Sequence, residues 1–346
     1  SKYPSSERNK FISIVINYYD RVTFVLKERL SGNEELSFYE NWSNKVELAV
    51  NKNDFSNALA YLQEIANPML TAGYFDEYIR IGRVIFNRID FQKHLSNGTP
   101  YFLNQLGDLV LTLAETSNFE LAAKLLDKLE THINDKGINY VTFCRLKCAY
   151  YWNKHEYEES IFWGEKASKL SEEGKLDYSD HYLNLSKRDS RNKTYIEESL
   201  IYFLKGESVE HVMSIEVKAT DLSAHYFGNI GRCLFLLGKY EEALNMFSKS
   251  FTLCYIEENS TKFQNRGFIS YWIGQLLHKQ NENADAYYFF SNSIRYWKLH
   301  SPFKYKQVER ELEILRDEIP DVSELDKLDD EIKKALEDAS KEETPT

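Results

Sequence analysis

The sequence predicts an all-α fold of antiparallel helical hairpins. Apolar residues recur at three- and four-residue steps along almost the whole chain, and strict alternation over a strand's length is hard to find. Only 14 Gly and 6 Pro occur in 346 residues, too few for a turn-rich β architecture, while 42% apolar content excludes a disordered chain. Short polar breaks separate helical stretches of similar length, about 14–18 residues, which places neighbouring helices antiparallel.

Residues 7–30 read as a long first helix. Phe11, Val15, Tyr18, Tyr19, Val22, Val25 and Leu26 lay a wide apolar stripe along it, and the stripe stops at Ser31-Gly32-Asn33, where a glycine can adopt the left-handed cap conformation. Further breaks follow at Asn51–Asp54, Ala72-Gly73, Ser96–Pro100, Asp135–Gly137, Asn153–His155, Gly238-Lys239 and Asn281–Asn283. From Tyr178 to Thr220 the helices shorten around the polar run Ser186-Lys187-Arg188-Asp189-Ser190-Arg191-Asn192. Past Pro320, Val322, Leu325, Leu328, Ile332 and Leu336 keep helical spacing opposite a charged face. The expected organisation is an N-terminal helix (1–35), a first stack (36–177), a polar junction (178–220), a second stack (221–318), a capping helix (319–340) and a disordered tail (341–346).

Two segments repeat each other. Residues 227–250 carry Phe227, Ile230-Gly231, Leu234, Gly238, Ala243, Phe247 and Ser250, and residues 270–293 carry Ser270, Ile273-Gly274, Leu277, Asn281, Ala286, Phe290 and Ser293 at the same internal offsets. Small residues at 231, 243, 274 and 286 allow two helices to approach closely, and the aromatic ring four places after each alanine fills the space beside the crossing. Weaker copies stand at Phe55–Leu62 behind Trp42, at Phe119–Leu126 behind Leu106, and at Tyr157–Ala167 behind Cys148 and Tyr151. Five hairpins exceed the three or so that a stacked array needs, and their unequal spacing makes the array irregular.

Forty-three basic and 54 acidic residues give a net charge of −11, which argues against a broad nucleic-acid or anionic-lipid footprint. The four cysteines, Cys144, Cys148, Cys233 and Cys254, form neither a disulfide framework nor a zinc-ligand set, so a reducing cytoplasm is expected. Apolar runs such as Phe11–Ile16 are far shorter than the ~20 residues of a membrane span, so no membrane partner is expected. Gly238-Lys239 lacks the second glycine of a phosphate loop, and the eight histidines form no zinc-peptidase motif; no cofactor or metal is expected.

The offsets of 227–250 and 270–293 resemble the tetratricopeptide repeat, specifically over 221–300, moderately over 101–172 and weakly over 38–92. The resemblance implies a right-handed superhelix, an α-solenoid, with the first helix of each hairpin lining a concave surface that binds a protein or peptide. Projecting the family's groove positions selects Arg145, Trp152, His225, Arg232, Phe235, Tyr271, Gln275 and His278. Aromatic and Arg side chains are the usual anchors of such interfaces. The chaperone-binding carboxylate clamp is not implied, because its offsets carry Gly228, Arg232, Phe268 and Trp272.

The order Arg188-Asp189-Ser190, Tyr202–Gly206, Gly228–Leu234 and Tyr271–Gly274 is also similar to the helical-repeat half of bacterial multidomain proteins, in which repeats follow an effector or STAND-type ATPase domain, some in antiphage defence. That resemblance implies a sensor or scaffold without catalysis, joined to such a domain in the same chain or complex. A peptide-pheromone receptor is the second reading, although residues 1–35 are too short for its usual output domain. A third is a hydrolase using Lys187, Arg188, Asp189 and Arg191, where Arg would hold an anion and Asp act as base. The plainer expectation for that run is a solvated loop with local ion pairs.

Overall fold

The computed structural model describes residues 5–30, 35–134, 137–173, 181–217, 222–256, 262–300 and 302–318. Among them are seventeen helices and no strand: α1 (Ser5–Lys27), α2 (Leu36–Asn51), α3 (Phe55–Thr71), α4 (Phe75–Phe86), α5 (Phe91–Ser96), α6 (Phe102–Glu115), α7 (Phe119–Glu130), α8 (Ile138–Asn153), α9 (Tyr157–Glu173), α10 (His181–Asp189), α11 (Lys193–Leu204), α12 (Val209–Ser214), α13 (Ala224–Leu236), α14 (Tyr240–Ile256), α15 (Lys262–Lys279), α16 (Asn283–His300) and α17 (Pro302–Glu318). The chain forms two compact units, Ser1–Ser190 and Arg191–Thr346, which divide within the segment read as a polar junction. The expected capping helix at 319–340 and the tail at 341–346 lie outside the described residues.

One backbone device joins the helices of the hairpins. In α2–α3, α3–α4, α6–α7, α8–α9, α13–α14 and α15–α16 the connection is three residues long. Its middle residue, Asn53, Gly73, Ser117, His155, Gly238 or Asn281, has a positive φ between 61° and 82°. The residue after it returns its N–H to a carbonyl five places back, as in Asp54 to Ala49, Asn118 to Leu113 and Glu282 to Leu277. This is the left-handed C-cap, which satisfies carbonyls that a helix end leaves open and reverses the chain in the fewest residues.

In the first unit, α2, α4, α6, α8 and α10 pack consecutively side by side, and α3, α7 and α9 each return against the helix before them. Close approach along that row depends on missing side chains: a Cβ on Gly82 would stand 2.9 Å from Leu109, and one on Gly107 3.3 Å from Leu146. The core is continuous from Tyr39 and Trp42 through Leu62, Phe86 and Leu109 to Phe143 and Tyr150. Helix α4 belongs to this row although no repeat pattern marks it in the sequence, and the α5 that follows it is only six residues long.

The first helix is tied to this unit by polar contacts. Lys45, buried on α2, bonds Asp20 at 2.9 Å and donates to Thr23 at 3.1 Å, with its ammonium 3.9 Å from the centre of the Tyr61 ring. Burial, with the added charges of Asp20, Asp54 and Glu64, pushes the Tyr61 hydroxyl up to about 12. Asn44 donates to the Tyr19 hydroxyl at 3.2 Å, and Arg8 donates to the Asn51 carbonyl at 3.0 Å.

In the second unit α11 packs on α13, α12 on α14, and the pairs α13–α14 and α15–α16 repeat in space as in sequence. A Cβ on Gly231 would meet Phe247 at 2.6 Å, and one on Gly274 would meet Phe290 at 2.9 Å. Ala243 and Ala286 are fully buried. Ser250 donates to the Ala224 carbonyl and Ser293 to the Gly267 carbonyl, both at 2.7 Å. Position for position, 43 residues apart, the same contacts hold both hairpins closed.

Candidate functional site

The eight projected surface residues divide between the units, with Arg145 and Trp152 on α8 and the other six on α13 and α15. In the first unit the structure joins the two sets of candidates that the sequence kept apart. Trp152 donates its indole N–H to Asp189 at 3.0 Å, and Asp189 pairs with the Nε of Arg188 at 3.2 Å. Both charged side chains are 2% exposed. The Tyr182 ring lies 5.6 Å from Trp152, and burial raises its hydroxyl pKa, with Glu115 and Cys148 adding to the shift and Arg145 opposing it.

This cluster corrects the expectation of a solvated loop over Lys187–Arg191. Helix α10 runs through Asp189 and buries Leu183, Asn184, Leu185 and Ser186 as well, so its last turn carries Arg188 and Asp189 into the interior. A charge placed there is tolerable only when paired and hydrogen-bonded, which Asp189 and Trp152 accomplish. Lys187 is half-buried, and Arg191 is exposed beyond the helix with φ 61°. The pair is therefore closed to substrate, and the carboxylate is engaged by a guanidinium and an indole.

In the second unit α13 and α15 lie side by side. The Arg232 guanidinium sits 4.0 Å from the centre of the Trp272 ring, within the range of a cation–π contact. Phe235 is buried, its ring 5.8 Å from Trp272 and 5.7 Å from Tyr240, so it is core and no anchor for a partner. His225 is exposed at the start of α13. On α15, Tyr271, Gln275 and His278 follow one another at steps of four and three and share a face. The Tyr271 hydroxyl accepts from Gln307 of α17 at 3.0 Å, and His278 Nε2 lies 2.9 Å from Glu318. Between them, the buried side-chain nitrogen of Gln275 has no hydrogen-bond partner among the described residues.

Sequence reasoning weighed Trp272 only as a carboxylate-clamp offset and left it out of the projected surface, although it meets both Arg232 and Phe235. It also missed Tyr182 and Gln307, whose signals are single polar or aromatic residues on otherwise ordinary helices.

The described residues hold no group of three or more His, Cys, Asp or Glu side chains that could bind a metal ion. All four cysteines are buried, and burial raises Cys144 to about 11, keeping its thiol protonated. No helix among the described residues is long and apolar enough to cross a membrane. No protein-family model matches the chain, and no curated protein matches it at a significant level.

Proposed function

We propose that this chain is a non-catalytic, tetratricopeptide-like recognition module, a right-handed helical array that holds a protein or peptide against the face of its first helices. Such a module suits the sensor or scaffold part of a larger bacterial assembly, antiphage defence among the settings, working in the cytoplasm. The observation that carries the reading is the Gln275 amide, a buried donor with no partner among the described residues, set between Tyr271 and His278 on α15. A buried donor left unsatisfied costs about 1–3 kcal/mol, and a peptide that displaces α17, which Gln307 and Glu318 tie to Tyr271 and His278, would recover it with a backbone carbonyl. Arg232 stacked on Trp272 supplies the aromatic and guanidinium surface that anchors peptide side chains. Arg145, half-buried on α8, and the exposed His225 offer further polar contacts within their own units.

Selection of a random peptide library on the immobilised chain, followed by calorimetric titration of the enriched peptide, tests the reading. Gln275→Ala is expected to weaken binding by about 1 kcal/mol without lowering the melting temperature, since no internal hydrogen bond is lost. Arg232→Ala and Tyr271→Ala are expected to cost about 1–3 kcal/mol each. Absence of any enriched peptide, or titrations unchanged by all three substitutions, would remove the proposal.

A further inference from the structure

The outward face of α1 is apolar, although one side of the helix is already committed to α2. Phe11, Ile14, Tyr18 and Val25 succeed one another at three-, four- and seven-residue steps, which puts them in one stripe, and they are 67%, 66%, 63% and 68% exposed. Phe24, still more exposed, widens the patch on one flank. The opposite face buries Ile12 and Thr23 and carries the ties to Lys45. A clamped helix thus presents a fixed apolar stripe to solvent.

Three aromatic and two aliphatic side chains, 63–79% exposed, present on the order of 600 Å². One partner in a standard protein interface contributes about 800 Å², so the stripe with its charged flanks is of the size that a stable pairing requires. Its sequence is also complementary to itself.

We propose that α1 is a dimerisation helix, packing antiparallel on the α1 of a second copy across a twofold axis at Tyr18. In that register Phe11 faces Val25 of the second copy, Ile14 faces Val22, and Tyr18 faces Tyr18, so these layers are apolar, while the exposed Arg21, between Tyr18 and Val25, lies at the edge of the seam. The exposed charges agree: Glu7 comes beside Arg29 of the second copy, and Lys10 beside Glu28. A parallel pairing would set each of these charges against its own like, which selects the antiparallel arrangement.

Sedimentation of the 346-residue chain across a concentration series is expected to show a monomer–dimer equilibrium. The double variant Ile14→Asp/Val25→Asp, at two exposed positions, is expected to be monomeric with unchanged circular dichroism and melting temperature. Tyr18→Cys is expected to cross-link two copies under mild oxidation, and because all four native cysteines are buried, any covalent dimer reports on residue 18. Ile201→Cys, at an exposed site on α11, is expected to remain monomeric under the same oxidation. A chain that stays monomeric at high micromolar concentration, a dimer that survives the double acidic variant, or a Tyr18→Cys variant that does not cross-link would overturn the assignment.

Discussion

Arg188 and Asp189 show how one residue's neighbours decide whether it is a site or a strut. The sequence alone puts both in a solvated loop with local ion pairs, because a run of Lys, Arg, Asp and Ser does not reveal which face of a short helix points inward. The buried leucines at 183 and 185 settle that orientation. Breaking a buried pair by removing one partner leaves an uncompensated charge, so Asp189→Asn should destabilise the protein by about 3–5 kcal/mol in a denaturant titration. Replacing both members with apolar residues of similar volume, Arg188→Met with Asp189→Leu, should recover much of that loss. If Asp189→Asn melts like the unaltered protein, the pair is not the internal link that its burial describes. Trp152 and Phe235 carry the same lesson among the projected surface residues. Their types suit an interface, yet one donates its indole to Asp189 and the other lies in the core.

At the level of the elements, most boundaries were legible because the breaks carry Gly, Asn or Asp, whose backbones enter the left-handed region readily. Thr116-Ser117-Asn118 was not singled out as a break, yet Ser117 adopts φ 65° and closes the same cap as its counterparts. A left-handed residue with a Cβ costs about 1–2 kcal/mol, and glycine returns part of that gain through unfolded-state entropy. Ser117→Gly should therefore stabilise the protein by about 0.5 kcal/mol. Gly231 tests the opposite requirement. A methyl group there would lie 2.6 Å from Phe247 and 3.0 Å from Met246 Cβ, so Gly231→Ala should cost about 1–3 kcal/mol through overpacking. Chemical denaturation of the two variants beside the unaltered protein checks both signs, and a neutral Gly231→Ala would mean that α13 and α14 separate easily. The repeat was readable at this scale because packing fixes its small and aromatic positions, whereas α5 is too short to display any period.

For the whole molecule the sequence specified helix content and hairpin pairing, which follow from periodicity and turns, but not the division at Ser190, which depends on how distant helices pack. Response to acid is a property at that scale, and two groups of the first unit set its expected form. Burial lowers the pKa of His94, with Lys93 adding to the shift and Asp90 opposing it, while the ring stacks on Phe102. The folded state thus holds fewer protons than the unfolded chain once the pH falls through the ordinary histidine value of 6.5, and stability present at neutral pH is lost on acidification through that window. Glu77 acts lower on the scale. Burial alone would raise it, but hydrogen bonds from Arg80 at 2.7 Å and Ser43 at 2.8 Å, with the Arg80 charge, bring it below its ordinary 4.5. Its contribution is present above 4.5 and is lost as the pH falls through the lowered folded value. Both groups have the same sign, while Asp108, whose carboxyl burial raises above its ordinary value, opposes Glu77 in the carboxylate range. As the pH is lowered from neutral, the melting temperature should therefore decline first through His94 and then by the net of Glu77 over Asp108. His94→Gln should flatten the first stage and leave the second, and Glu77→Gln should do the reverse. A melting series with all three proteins measures this directly, and a first stage that persists in His94→Gln would assign it to some other group.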